Sequence, residues 1–200
     1  MASDVQIANR ALTKLGARRI LSLADDVKEA RAINSMFEIV RDSELRAHPW
    51  NFAMTRASLP ALVSTPAWGF ARQFQLPADC LRVIQINEEY WVSNLTDYRT
   101  RLDVPFQIEG GKVLTDFDAP LKIRYVSRIS DTQAWDTCFV EAFASKLAYE
   151  TCEEITQSNT KKQEMWNDYN MMIRQAKRMD AIENPPEPFS DDSWLLSRIP

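Results

Sequence analysis

One histidine, His48, and three cysteines, Cys80, Cys138 and Cys152, are the groups through which this chain could do nucleophilic or metal chemistry. A nucleophilic thiol needs a base beside it to take its proton, and Cys138 and Cys152 fall near the apolar side of a helical pattern instead. Zinc requires three or four nitrogen or sulfur ligands; one histidine and three dispersed cysteines, none in a CxxC pair, do not offer that spacing. HExxH, GxSxG, P-loop and GxGxxG patterns do not occur. Two carboxylates suffice for glycoside hydrolysis, and Glu150, Glu153 and Glu154 cluster, as do Asp191 and Asp192. An acid catalyst, however, needs a raised pKa, and neighbouring acids of this kind read as solvated surface. Trp68, Phe70, Arg72 and Phe74 have the residue types of a base-stacking platform, but core packing and a loop contact account for them as well. His48, followed by Pro49 at a helix end, reads as structural, its ring capping late carbonyls. No catalytic residue, cofactor or metal site is expected, and the chain is not expected to be an enzyme.

The composition sets the frame. Two hundred residues suit one domain, or one with an insertion. A 23.0 kDa chain buries enough surface to need no metal or disulfide staple. Four glycines disfavour Gly-rich phosphate loops and tight all-β folds. An odd cysteine count favours a reducing compartment. No leader and no membrane span are expected, because no long apolar run occurs. The net charge of −4 is unevenly spread, with the acidic excess in the C-terminal third. No basic stripe runs along the sequence, which argues against tight nucleic-acid binding.

The elements that must position these groups follow from periodicity. Residues 3–15 predict a helix capped by Ser3 or Asp4, with Gly16 ending it in the left-handed conformation. Residues 25–47 predict a longer helix starting at Asp25 or Asp26, with Ala30, Ile33, Phe37 and Val40 on its apolar face. Pro49 stops it, and Trp50 and Phe52 are expected on one side of an extended segment. Arg31, Glu38, Arg41, Asp42 and Arg46 lie off the apolar face. They form either a solvated, salt-bridged surface or a charged contact between copies of the chain.

From 50 to 128 prolines punctuate short β-prone runs: 73–76, 81–87, 90–92, 106–109, 112–115 and 121–127. Gly110-Gly111 marks a two-residue hairpin loop. Ile123, Tyr125 and Ser127 alternate with Lys122, Arg124 and Arg128, as in a half-buried strand. Residues 134–157 and 159–182 predict two more helices joined by a short link, hence antiparallel. After them, Pro185, Pro186 and Pro188 favour extended structure. Phe189, Trp194, Leu195, Leu196 and Ile199 then place large apolar groups on a tail that cannot bury them alone. That tail is either a docking peptide or a clamp on its own domain.

Residues 12–53 resemble the tail tubular protein A family of short-tailed phages, the podovirus portal-to-tail adaptors or head-to-tail connectors. The resemblance is carried by the KLG turn at 14–16, the I-x-SL-x-D run at 20–25, Ala30 and Asn34. Arg41-Asp42, Leu45-Arg46 and the run His48, Pro49, Trp50, Asn51, Phe52, Ala53 complete it. It implies an α+β fold in which helix pairs from residues 1–49 and 129–182 form a four-helix bundle. An antiparallel β-rich insertion at 50–128 and an extended docking tail at 183–200 complete that layout. It further implies a structural virion protein at the portal–tail junction, made in the host cytoplasm. Copies would form a homo-oligomeric ring, a dodecamer, that binds the portal protein and a tail tubular protein B-like nozzle. The ring would extend the DNA channel, with DNA passing through without specific binding, and no membrane or cofactor is implied. Gly16 and residues 48–52 would be structural, the five charged helix residues inter-subunit contacts, and the five apolar tail residues the portal anchor. The alternative is a tail-associated glycan-binding or glycan-hydrolysing protein.

Overall fold

The computed structural model describes residues 2–87, 90–92 and 105–183. Among the described residues, four helices and two small antiparallel sheets make a mixed α/β fold. Helix α1 spans Asp4–Leu15, and Ser3 and Gln6 close a capping box at its start, satisfying two orphan N–H groups reciprocally. Gly16 ends it at φ 70°, as expected of a residue without a Cβ. The Asn9 side chain then grips Ile20 by two 2.8 Å hydrogen bonds, from Asn9 Nδ2 to the Ile20 carbonyl and from the Ile20 N–H to Asn9 Oδ1.

Helix α2 spans Lys28–Ala47 and starts three residues later than the charge pattern suggests. The reason is local: Asp25 Oδ2 accepts from the N–H groups of Leu21 and Ser22. Its carboxylate therefore closes a turn and does not cap the helix. Helix α3, Thr137–Thr156, is capped by Asp136, whose carboxylate accepts from Cys138 N and Phe139 N. Asp131 caps the 3-10 turn Thr132–Ala134 just before it. Helix α4 spans Asn159–Glu183. Helix α3 packs against each of the other three. It is buried on more than one face, through Phe139, Ala142, Phe143, Leu147 and Ala148 among others, as a central helix must be.

Strand β1, Met54–Leu59, lies where the sequence pattern predicts no strand. Its residues alternate weakly, because both faces of its sheet are covered over part of their area. It pairs with β7, Leu121–Ser127, which pairs with β3, Cys80–Ile86, and β3 with β4, Tyr90–Trp91. The second sheet has β2, Arg72–Gln75, beside β6, Lys112–Thr115, beside β5, Phe106–Glu109. The β5–β6 hairpin turns on Gly110 and Gly111 at φ 54° and 74°, the double positive φ of a type I′ turn.

Two apolar cores result. Trp50, Ala53, Ile84 and Val126 join the helices in the larger. Leu59, Val83, Ile86, Leu121, Ile123 and Tyr125 form the smaller with Phe74, Phe106 and Val113 of the second sheet. The four-stranded sheet thus packs helices on one face and the three-stranded sheet on the other. Phe139 is fully buried in the larger core, with Trp50, Phe52, Trp135 and Phe143 rings around it. Phe139→Ala is expected to cost about 3–5 kcal/mol, read as a lowered urea midpoint with an unchanged slope; a cost below about 1 kcal/mol would contradict this packing.

Candidate functional site

Residues 48–53 form a joint between α2, the four-stranded sheet and the end of α4. Pro49 drives His48 out of the helical region, to φ −138° and ψ 144°. The chain then makes a 3-10 turn over Asn51–Ala53, where the sequence suggests an extended segment. That turn lets Trp50 bury fully while Phe52 stacks beside it, with ring centroids 6.2 Å apart. Trp50 Nε1 donates to the Glu44 carbonyl at 3.0 Å. This carbonyl is among the last four of α2, which lack intrahelical partners. Trp50 therefore supplies the cap expected of His48, and the His48 ring is used elsewhere.

Its partner is Asp180 of α4. His48 Nε2 lies 3.1 Å from Asp180 Oδ2, the Asn51 N–H donates to Asp180 Oδ1 at 2.8 Å, and Asn51 Nδ2 donates to the Asp180 carbonyl at 2.6 Å. One aspartate thus ties the end of α2 to the end of α4. Burial pushes the His48 pKa below its ordinary value, against the pull of Asp180, and the Lys177 and Arg82 charges add to the lowering.

Sequence reasoning found no buried carboxyl, but Glu44 is one, 6% exposed. Both its oxygens accept from Tyr169 Oη, at 3.0 and 2.9 Å. Burial raises its pKa, and the Tyr169 hydrogen bond with the Lys146 and Lys177 charges offsets only part of this. The Tyr169 hydroxyl is itself pushed up by burial and by the carboxylate. Lys146 sits over the Tyr149 and Tyr169 rings, 5.2 Å from each centroid, and pairs with Glu150 at 2.7 Å. The helical phase of Glu44, one turn after Val40, was the available sign that it faces inward.

The five charged residues of α2 divide into two kinds. Arg41 is buried, a correction to its placement off the apolar face. It bonds Asp42 at 2.9 Å, and Asp42 in turn binds Arg128 at 2.8 Å, tying α2 to the residue after β7. Arg46 donates through Nη1 to the Leu81 carbonyl of β3. Asp42 and Arg46 thus tie α2 to the β-rich region. Arg31 and Glu38 are exposed, with Arg31 paired to Asp26 at 3.1 Å and Glu38 3.7 Å from Arg41.

The remaining groups with chemical potential stand apart. Burial and Asp79 push the Cys80 thiol up to about 11, so little thiolate exists at neutral pH; Cys138 is also raised, first by burial, and Cys152 is buried. Among the described residues no group of three or more His, Cys, Asp or Glu could hold a metal ion. Glu153 is exposed and paired with Lys162 at 2.6 Å. Of the aromatic run, Phe74 is core, whereas Trp68 is 83% exposed on the loop before β2. Asp191, Asp192 and the tail residues Phe189, Trp194, Leu195, Leu196 and Ile199 lie outside the described residues. No described helix is long and apolar enough to cross a membrane. In comparisons with known proteins, no family model and no curated protein matches the chain.

His48 and Glu44 make opposite contributions to stability. His48, depressed when folded, favours the fold above its unfolded pKa of about 6.5 and takes that stability away as pH falls through it. Glu44, raised when folded, favours the fold below its unfolded value and loses that advantage as pH rises through its folded pKa. Glu44→Gln is therefore expected to gain stability relative to the parent as pH rises from 4 to 8. Urea melts of both proteins across that range check it; a constant difference would remove the assignment of a raised carboxyl.

Proposed function

We propose that this chain is a structural virion protein, an adaptor subunit that joins a portal to a tail nozzle in a short-tailed phage. The observation that carries it is the joint at residues 48–53. The run His48, Pro49, Trp50, Asn51, Phe52, on which the resemblance rests most heavily, is where the N-terminal helix pair, the β layers and the end of α4 meet. The order of elements supports the same layout: two helices, a β-rich region at 50–128, then two helices. The N- and C-terminal helix pairs are read as one four-helix bundle.

Uncovered apolar groups support assembly. Ile39 on α2 is 67% exposed, and Met171, Met179 and Ile182 stand out from α4. Surface of this kind marks protein contacts when it is contiguous. In a ring, a head-to-tail contact uses two different faces of each copy. Ile39 with Arg31 and Glu38 supplies one, and the outer face of α4 the other. The tail, through Phe189, Trp194, Leu195, Leu196 and Ile199, reaches the portal, and the β-rich region faces the nozzle. The role is mechanical: the dodecamer extends the DNA channel, helps retain the genome and supports tail assembly. No enzyme activity or cofactor is part of it.

Mixing the chain with the portal of the same phage tests this, with particle images and mass recorded. The full chain is expected to form a ring on the portal, and a version ending at Ile182 to lose it. Ile39→Asp is expected to weaken the ring while leaving the urea midpoint nearly unchanged, because surface substitutions away from specific contacts change stability by about 0.5 kcal/mol or less. No portal complex from a folded full chain would overturn the adaptor assignment.

A further inference from the structure

The sequence carries no basic stripe, but strand pairing builds a basic cleft. Arg56 of β1 and Arg124 of β7 are direct cross-strand partners, and Ser58 faces Lys122 one rung further on. Gln85 of β3 extends the first rung, since it is paired with Arg124. Asn87 extends the second, its N–H donating to the Lys122 carbonyl at 2.8 Å. These six residues line an open cleft of about 600 Å³ together with Ala57 and Ile123. They lie on the sheet face opposite Ala57, Leu59, Leu121 and Ile123, which pack in the smaller core. The helices cover that face near Ile84 and Val126, and beyond them Arg56, Ser58 and Lys122 are exposed.

Two arginines directly opposite on one sheet face bring two guanidinium groups side by side at one rung. Every polar side chain described in the cleft can donate a hydrogen bond, and among the described lining residues there is no carboxylate. Lys122, Arg124 and Gln85 are already engaged; a guanidinium has five N–H donors and an ammonium three, so each can hold a further oxygen. The two rungs are two residues apart along each strand, about 6.6 Å. That is comparable with the spacing of successive phosphates along a nucleic-acid strand, and a lone phosphate would fill only one rung.

We infer that this cleft binds the phosphate backbone of duplex DNA, one phosphate at the Arg56–Arg124 rung and the next at Lys122. Such contacts carry no base sequence. They deepen the adaptor reading, on which the identity of the polyanion rests: the cleft would hold DNA lightly as it passes. The weak positive balance of this region in sequence hides the site, because its three cations come from strands more than sixty residues apart.

Anisotropy of a fluorescent duplex of about 20 base pairs, titrated with the full chain from about 50 to 200 mM salt, tests it. The parent is expected to bind saturably, with a log–log salt slope of about −2 to −3 for two or three phosphates. Arg56→Gln with Lys122→Gln is expected to weaken binding roughly tenfold at the lowest salt. The pair Lys28→Gln and Arg31→Gln, which removes the same charge from α2, is expected to change it less than about twofold. Urea melts accompany each variant and show that each is folded. No binding by the parent, equal binding by the cleft variant, or equal loss in both pairs would overturn the inference. For the parent, no DNA binding with ring assembly intact would overturn the cleft alone; ring failure with DNA binding intact would overturn the adaptor alone.

Discussion

The burial of Trp50 at the end of α2 is the constraint on which the rest of this structure depends. An indole of this size can be taken out of water only if its N–H finds an acceptor, and the Glu44 carbonyl needs a donor for the same reason. One 3.0 Å bond settles both. It also fixes the direction in which the chain leaves the helix. The ring then becomes a surface for others to pack on: His48 at 4.5 Å and Phe139 at 4.8 Å between centroids. Through Phe139 it meets the aromatic cluster of α3, and through Ala53 it leads directly into β1.

Polar groups lock what the aromatic groups place. Asp180 gathers His48 and both donors of Asn51, so the end of α4 cannot drift from the joint. Lys14, on α1, holds Asp168 at 2.7 Å with Ser145 donating to the same carboxylate oxygen. Burial alone would raise Asp168, but these two hydrogen bonds and the Lys14 charge bring its pKa below the ordinary carboxylate value. Asp42 spans Arg41 and Arg128 in a similar way. Each of these pairs joins elements distant in sequence. Breaking one partner of a buried or half-buried set leaves the other uncompensated, which is why such sets specify an arrangement more strongly than they stabilise it.

The mechanical role proposed for the chain is consistent with this economy. A ring subunit needs a rigid joint, exposed faces for neighbours and a tail free to leave. The joint uses the aromatic and Asp180 contacts. The exposed faces keep Ile39, Met171 and Ile182 uncovered. Asp180 stands in the last turn of α4 as described and holds it to the joint.

What the sequence determined by itself was local and periodic. Gly16 ended a helix because left-handed φ favours glycine, Pro49 ended another because its ring excludes helix at His48, and Gly110-Gly111 turned a hairpin because both positions need positive φ. The apolar faces of α3 and α4 were legible at helical spacing, as were six of the seven strands among the described residues. What only the tertiary structure decided was long-range. Strand β1 owes its place to β7, 62 or more residues away, because pairing rather than propensity selects it. Glu44 meets the Tyr169 hydroxyl of α4, a partner that no spacing reveals. Arg56, Lys122 and Arg124 became one cleft because an antiparallel register, not composition, chooses which cations stand side by side.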